Sequence, residues 1–417
     1  MTHTPISQII VSLDFGAKPI PVGRLAIRDR VIYFEYDAGF LQRGLNISPF
    51  RLPLKPGLQS FDHSLFEGLP GVFNDSLPDG WGRLLFDRSM RAQGVMPEEL
   101  SPLDRLAHIG ETGMGALVYE PDFSDSHSSD DIDLDWLAEQ SRSVLAREEL
   151  EGAADDVLTA LLALNGSSAG ARPKALIGYD LAQDKVIHGG KPIKDGFEPW
   201  LVKFANTMDG PDAGAIEFVY AEMARRAGLD VPETALFPAK NGAGYFATKR
   251  FDRVGDRRFH MHTACGLLHS DFRTPSLDYQ DLIQLTTLLT RDVRETEKMF
   301  RLAVFNVLAH NRDDHSKNFS YLMDKDGDWT LSPAYDLTFS SGPGGEQSTM
   351  VMGEGKAPTL EHLRALGQHA ELKKQTIDKI IEQTQDALAG WSTLAKEHGV
   401  AISSVRLIAD RLAQIAT

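Results

Sequence analysis

Three side chains that could carry chemistry lie in the stretch from Phe300 to Phe339: Asp313, Asn318 and Asp336. Phosphoryl transfer needs a carboxylate that accepts a proton while a hydroxyl group attacks. It also needs hard oxygen ligands that hold Mg²⁺ together with the substrate phosphates. Two aspartates and an asparagine supply such a set, so this stretch predicts a metal-nucleotide site.

The spacing of these residues matches a known arrangement. Asp313 and Asn318 are five positions apart, which is the separation of the base Asp and the metal-binding Asn in the catalytic loop of protein kinases. Between Asn318 and Asp336 the pattern 319–331 predicts a strand, a turn and a strand. Such a hairpin would return Asp336 to the side of Asn318.

Two alternatives apply to this stretch. Loops rich in Asp and Asn between a helix and a hairpin are common turn chemistry and need no function. The run 324–328 also resembles the start of a calcium loop, but Trp329 stands where that loop needs glycine and Tyr335 where it needs a bidentate glutamate. We interpret 324–328 as an ordinary turn.

Composition limits the class of protein. The chain has 417 residues, of which 42% are hydrophobic and 24% charged, as in folded globular proteins. The net charge of −16 argues against holding nucleic acid by a general field, which leaves only a local basic patch. Cys265 is the only cysteine, so intramolecular disulfides and cysteine-based metal sites are excluded.

The sequence also bears on location. Residues 1–5 have no basic region and no apolar run of the kind found in signal peptides. No apolar run approaches the roughly 18 residues that cross a bilayer. We therefore expect a cytoplasmic protein with no membrane partner.

The elements around the candidate site predict an α+β fold. Residues 1–125 form a β-rich N-terminal domain with a Gly- and Pro-rich loop at 68–83, and the polar run 124–133 is a connector. Residues 126–255 predict strands, one main helix and a hairpin. Residues 256–417 are mostly helical, with one helix predicted at 370–396, and the Gly- and Ser-rich span 340–355 predicts a mobile loop. A small β-rich lobe followed by a helical lobe is the order of a protein-kinase-like two-lobed fold, here with an extra N-terminal domain.

A glycine-bearing segment, Gly166–Lys174, stands where a loop covering phosphates belongs. Glycine permits close backbone approach, and exposed N–H groups bind oxyanions. The segment is neither G-x-G-x-x-G nor a Walker A sequence, and an ordinary helix-to-strand turn is the alternative. Pro173 has no N–H, so a backbone cradle would come from the residues before it.

Charged residues in the small lobe suggest further contacts with phosphates. Lys203 lies in an apolar strand. It is either a lysine that holds the nucleotide phosphates or one whose apolar stem packs in the strand while its ammonium group reaches water. Glu217, in the helix that follows, is its candidate ion-pair partner or a first-turn acid favoured by the helix dipole. The run 249–253 leads to the junction of the lobes, where an adenine could bind, with a charged linker as the alternative. His260, His262 and His269 lack the ligands of a zinc site at standard spacing.

At this point the chain resembles the HipA family, bacterial serine/threonine kinases that act as toxins of type II toxin–antitoxin pairs. The resemblance covers most of the chain, and the catalytic loop is its most specific part. The segments that carry it are 74–82, 109–117, 167–174, 202–204, Glu217 with 227–228, 249–253, 311–319 and 333–338.

The resemblance implies ATP and Mg²⁺ as cofactors, with Asp313 as catalytic base and Asn318 and Asp336 as metal ligands. It implies autophosphorylation at Ser167, and the neighbouring Ser168 leaves two candidate positions. Arg172 and Pro173 replace the Gln-acid pair of the best-known members. The expected ATP-binding residues are Ser168, Ala169, Gly170, Ala171, Lys174, Lys203, Glu217, Lys249, Phe251, His315 and Lys317.

Family members phosphorylate aminoacyl-tRNA synthetases, and they bind a small helix-turn-helix antitoxin that carries the complex to operator DNA. The resemblance therefore implies such partners here, with DNA reached only through the antitoxin, in agreement with the acidic charge. Two other functions stay open. One is a weakly catalytic corepressor module that acts with the antitoxin, and the other is a small-molecule phosphotransferase.

Overall fold

Strands are concentrated in the first part of the chain, and helices dominate the part that follows His262. The structure is a computed structural model, and it describes residues 4–124, 132–146, 155–166, 170–189, 196–206 and 209–415. Within these residues no helix is both long and apolar enough to cross a membrane.

The strands, in chain order, are β1 (Gln8–Leu13), β2 (Ile20–Arg28), β3 (Val31–Tyr36), β4 (Gln59–Ser60), β5 (Leu117–Glu120), β6 (Lys174–Asp180), β7 (Lys185–His188), β8 (Glu198–Lys203), β9 (Thr234–Phe237), β10 (Tyr245–Lys249), β11 (Arg253–Val254), β12 (Arg257–Arg258), β13 (His260–Thr263), β14 (Leu277–Asp278), β15 (Ser320–Met323), β16 (Trp329–Leu331) and β17 (Thr349–Met350).

The α-helices are α1 (Ala38–Arg43), α2 (Gly71–Asn74), α3 (Gly80–Ala92), α4 (Pro102–Ile109), α5 (Leu134–Ala146), α6 (Asp155–Asn165), α7 (Ala213–Arg226), α8 (Ala264–Leu268), α9 (Tyr279–Thr290), α10 (Val293–Leu308), α11 (Leu360–His369), α12 (Lys374–Ala389), α13 (Trp391–Glu397) and α14 (Ile402–Ile415). Short 3₁₀ helices cover Phe66–Gly68, Pro97–Glu99, Ser316–Asn318 and Pro343–Gly345.

The chain divides into two compact units. The first contains Met1–Asp209, Ala247–His262 and Leu322–Gly327, and the second contains Gly210–Phe246, Thr263–Tyr321 and Asp328–Thr417. The domain boundaries predicted near residues 125 and 255 stay predictions.

The first unit opens with an antiparallel sheet of strand order β4-β3-β2-β1-β5. Its core follows from the period of two: Ile9, Val11 and Leu13 of β1 are fully buried, and the residues between them are more exposed. A second sheet has β6 between β7 and β8, both antiparallel to it. Every residue of β6 is buried, so this strand lacks alternation.

The second unit is built around α10, which contacts α9, α11 and α12. Asp292 caps the start of α10 by accepting a hydrogen bond from the Arg294 N–H at 2.9 Å. At the other end, the Tyr220 hydroxyl of α7 donates to the Ala309 carbonyl at 2.8 Å. The Tyr220 contact fixes the end of α10, from which the predicted catalytic loop departs.

Three local predictions were wrong. Helix α7 begins at Ala213, so Glu217 lies beyond the first turn and is buried, and the first-turn dipole role does not apply. The span 370–396, predicted as one helix, is two helices that meet at Gly390. The span 340–355, predicted as a mobile loop, contains β17, which pairs in parallel with β14.

Candidate functional site

The predicted catalytic loop begins where α10 ends. His310 takes a left-handed conformation, with φ of 54°, which turns the chain away from the helix axis. Its ring nitrogen Nδ1 lies 3.0 Å from the Ser340 carbonyl, and its carbonyl accepts the Ser340 N–H at 3.1 Å. The loop is therefore held at its start by the segment that follows Asp336.

Asp313 and Asn318 are brought together by the loop itself. The side-chain amide of Asn318 donates to the Asp313 carbonyl at 2.8 Å, and its backbone N–H donates to the His315 carbonyl at 2.8 Å. The first bond uses the nitrogen of the Asn318 side chain, so its oxygen is the atom that can bind a metal. Asp313 is exposed, as a base that must reach a substrate has to be.

Asp336 follows the predicted hairpin, in which β15 and β16 are neighbours. The hydroxyl of Tyr335, the residue before it, donates to the Lys317 carbonyl at 2.6 Å and lies 2.6 Å from the Ser320 hydroxyl. The chain at Asp336 is thus tied to the chain on both sides of Asn318. Asp336 also has φ of 57°, an uncommon conformation outside glycine that is concentrated at functional sites.

Asp314, beside the predicted base, is buried and was missed by sequence reasoning. Its carboxylate accepts from the Tyr279 hydroxyl at 2.7 Å, the Gln347 amide at 3.0 Å, the Ser348 N–H at 2.9 Å and the Thr349 N–H at 3.2 Å. Burial raises the pKa of Asp314 to about 6, and the hydrogen bonds from Tyr279, Ser348 and Thr349 oppose the rise.

This shift predicts a pH dependence of stability. The Asp314 carboxyl has a pKa of 3.8 when unperturbed and about 6 when folded, so between these values the folded chain binds the proton more tightly. The free energy of unfolding therefore falls as the pH rises through this window. Relative to Asp314→Asn, the free energy of unfolding of the wild type should fall by roughly 1 kcal/mol between pH 5 and pH 7. Thermal unfolding of both proteins at the two pH values checks this, and parallel changes would contradict it.

His315 and Lys317 lie on one side of the loop against Phe272. The His315 ring is 5.5 Å from the Phe272 ring, and the Lys317 ammonium lies over the same ring at 4.6 Å. Lys317 is buried and His315 is half-buried. Their ATP-binding roles stay predictions.

In the first unit, Lys174 and Lys203 are neighbours. They are cross-strand partners in the register of β6 and β8, so their side chains leave the same face of the sheet. Ser167, Ser168 and Ala169 lie outside the described residues. Gly170, where that segment resumes, has φ of 112°, and a Cβ added there would meet the Lys174 ammonium at 2.6 Å.

The N-terminal domain reaches the glycine-bearing segment, a contact that sequence reasoning missed. Asp79 is the N-cap residue of α3, but its carboxylate makes no capping hydrogen bond to the helix and instead accepts the Gly170 N–H. The Trp81 N–H donates to the Gly170 carbonyl at 3.1 Å. Gly80 between them is required, because a Cβ there would lie 2.7 Å from the Gly170 carbonyl oxygen.

Replacing Asp79 with alanine should loosen this segment. A hydrogen bond to a charged group contributes about 1.5–3 kcal/mol, so its loss should speed exchange of the Gly170 amide about tenfold or more. Hydrogen exchange of a peptide spanning 166–174 measures this, with Asp256→Ala, an exposed aspartate, as the matched control. Equal exchange in both variants would contradict the role of Asp79.

Lys249 and Phe251 stand at the end of β10 and just after it. The Lys249 ammonium pairs with the Glu198 carboxylate at 2.5 Å. Asp252 is fully buried and lies 2.7 Å from both the Arg250 and Arg253 guanidinium groups. Burial by itself would raise the pKa of Asp252, but the two arginines outweigh it and lower that pKa. This part of 249–253 is therefore a buried ion-pair cluster.

The histidines considered for zinc have other contacts. His262 Nδ1 lies 2.6 Å from the Asp75 carboxylate, and its Nε2 lies 3.0 Å from the Ser48 hydroxyl. His260 Nε2 lies 2.9 Å from the Ile47 carbonyl. His260 and His262 are buried and link the N-terminal sheet region to β13, whereas His269 is half-buried.

The donor set of the catalytic loop suits Mg²⁺. In the part of the chain that the structure describes, no group of three or more His, Cys, Asp or Glu side chains is placed to hold a metal. Asn318 and Asp336, the predicted metal ligands, offer an amide oxygen and a carboxylate. Mg²⁺ fits such a set because it takes one or two carboxylates and completes its shell with water and phosphate oxygens.

Comparisons with known proteins agree with this architecture. Residues 13–120 match the HipA N-terminal domain and residues 166–391 match the HipA-like C-terminal domain. The chain is 27% identical over 354 residues to a Sinorhizobium fredii protein named "Putative kinase Y4mE", covering 80% of this chain and 74% of that protein. It is 28% identical over 216 residues to "Putative kinase Y4dM" of the same organism, covering 47% and 52%.

A solved structure has the same fold. Shewanella oneidensis HipA, in a complex with HipB and operator DNA, aligns with a TM-score of 0.70 over 98% of this chain and 96% of its own length, at 16% identity. The fold is thus α+β, β-rich at the N-terminus and helical at the C-terminus. The chain belongs to the HipA family, as its sequence motifs predicted.

Proposed function

We propose that this chain is an ATP- and Mg²⁺-dependent serine/threonine protein kinase that acts as a toxin. The observation that carries the proposal is the loop in which Asn318 closes onto the Asp313 carbonyl while the Asp313 side chain stays exposed. Membership of the HipA family and the similarity to proteins named kinases support it.

The roles follow from the chemistry of each side chain. Asp313 accepts the proton of the attacking hydroxyl, and Asn318 and Asp336 hold Mg²⁺ through oxygen atoms. Lys174 and Lys203, two cations on one face of a sheet, bind the nucleotide phosphates. When bound, Mg²⁺-ATP supplies the phosphoryl group and the positive charge that screens it.

The partners are proposed from the family. The substrate is a translation component such as an aminoacyl-tRNA synthetase, and a small helix-turn-helix antitoxin binds the chain. The Shewanella oneidensis structure, a complex of HipA with HipB and operator DNA, supports this partner. The antitoxin would supply the phosphate contacts to DNA, since this chain carries a net charge of −16.

Phosphate transfer to proteins tests the proposal. The purified chain is incubated with labelled ATP and Mg²⁺ in a bacterial lysate whose own kinases have been heat-inactivated. Discrete labelled proteins that carry phosphoserine or phosphothreonine are expected. Labelling of small molecules alone would favour a small-molecule phosphotransferase, and no transfer together with antitoxin-dependent DNA binding would favour the corepressor.

We also expect autophosphorylation of the segment Gly166–Lys174, most strongly at Ser167 and less at Ser168. Phosphate adds about −1.5 to −2 charges at pH 7, and next to bound ATP phosphates it would be repelled. The modified chain should therefore bind ATP poorly, and Ser167→Ala should escape this loss. Mass spectrometry of the wild type beside Asp313→Ala checks it, and equal phosphate on both proteins, each purified from a kinase-free source, would contradict it.

A further inference from the structure

We propose that Asp314 is a positioning residue that makes the conformation of the catalytic loop depend on the docking of residues 347–349. The inference rests on the proposed kinase function for its effect on rate, but the contacts that carry it are independent of that function. Residues 347–349 form the docking segment.

Four hydrogen-bond donors converge on the Asp314 carboxylate. One oxygen of Asp314 accepts from the Tyr279 hydroxyl and the Gln347 amide, and the other accepts from the N–H groups of Ser348 and Thr349. Three of the four donors belong to the docking segment. A buried carboxylate needs such partners, and loss of the segment would leave it with the Tyr279 hydroxyl as the one donor of these four.

The docking segment also forms hydrogen bonds with the residues on both sides of the base, Asp313. Ser348 donates to the Arg312 carbonyl through its hydroxyl at 2.9 Å and its N–H at 3.2 Å. The Thr349 hydroxyl donates to the Asp314 carbonyl at 2.5 Å. The 312–313 peptide group before Asp313 and the 314–315 peptide group beyond it are thus fixed, and these two contacts limit the direction of the Asp313 side chain.

Asp314 and the docking segment are both anchored by further contacts. Tyr279 accepts from the Asn306 amide at 3.0 Å, and Asn306 accepts from the Asn311 amide at 3.0 Å, which joins Asp314 to α10. The docking segment continues into β17, which pairs with β14. Beyond it, Asp278 accepts the Gly353 N–H at 2.7 Å. Asp314 therefore joins two fixed supports through the catalytic loop.

Positioning predicts a specific kinetic result. A misplaced base lowers the rate of the chemical step but leaves nucleotide binding intact. Asp314→Asn keeps the shape and replaces one acceptor oxygen with a donor that faces the Gln347 amide. We expect kcat to fall about tenfold or more while the KM for ATP changes less than twofold. Asp326→Asn, which removes an exposed aspartate, is the matched control and should keep wild-type kcat.

Reversing the polarity of the pair provides a rescue. Gln347→Glu alone places a second carboxylate against Asp314 and should be at least as damaging as Asp314→Asn. In the double variant the introduced amide faces the introduced carboxylate, so kcat should exceed that of either single variant by about threefold or more. Additive losses in the double variant would overturn direct coupling between the two positions.

Hydrogen exchange separates this inference from the proposed function. Asp314→Asn should speed exchange in peptides covering both 311–318 and 346–350, whether or not the chain is an active kinase, whereas Asp326→Asn should not. Unchanged exchange at 311–318, or wild-type kcat in Asp314→Asn, would overturn the inference. An inactive wild type whose variant shows the expected exchange would instead reject the kinase assignment and leave the structural coupling in place.

Discussion

Asp313→Ala is expected to lower phosphate transfer by roughly 100-fold or more, because the change removes both the proton acceptor and the group that orients the substrate hydroxyl. Asp313 is exposed, and its carbonyl, which accepts the Asn318 amide, is kept in the variant. The loop should therefore keep its shape, and ATP binding should change little. Initial rates with a peptide or protein substrate, together with ATP titration, measure the two effects separately.

The control for this variant is Asp326→Ala, which removes an exposed carboxylate from the turn between β15 and β16. Near-normal turnover of Asp313→Ala would show that Asp313 is not the base. Loss of ATP binding together with turnover would instead indicate a role in holding the nucleotide.

The shape of the predicted catalytic loop could be anticipated from the sequence because its contacts are local. Asp313 and Asn318 are close in sequence, and the bond between them closes within that short span. The return of Asp336 depends on a hairpin whose strands and turn have clear sequence signals. For Asp313 and Asn318 the predicted proximity and the structure therefore agree.

The supports of that loop could not be predicted, because they join residues that are distant in sequence. Asp314 meets the Gln347 amide 33 positions away, and Asp79 meets Gly170 91 positions away. In the sequence, Asp314 is one of several polar residues in a loop, and nothing marks it as buried. Asp79 had the position of a helix cap, which is a local role, and a tertiary contact took its carboxylate instead.

The charged run 249–253 shows the same limit. Its pattern is equally typical of a solvated linker and of a nucleotide site, because sequence does not report burial. In the structure Asp252 is 0% exposed and holds two arginines, which also donate to the Gly113 carbonyl. The run thereby connects the end of β10 to the loop before β5, a structural role that neither sequence interpretation included.

The second large effect is expected on the binding of Mg²⁺. Asp336→Asn keeps the size of the side chain and removes a negatively charged oxygen ligand, so Mg²⁺ should bind more weakly in the presence of nucleotide. Asparagine also tolerates the left-handed conformation found at this position, with φ of 57°, so the backbone should be preserved. Turnover at low Mg²⁺ should fall by roughly tenfold or more and recover in part as Mg²⁺ is raised.

Titration calorimetry of ATP at low and high Mg²⁺ concentrations tests this role directly. The matched control is Asp328→Asn, which removes an aspartate from the turn before β16. Tyr335 holds the backbone before position 336 through the Lys317 carbonyl, and this contact does not involve the substituted side chain. A loss of affinity that excess Mg²⁺ restores therefore assigns the effect to metal ligation. Nucleotide affinity that is unchanged at every Mg²⁺ concentration would remove Asp336 from the metal site.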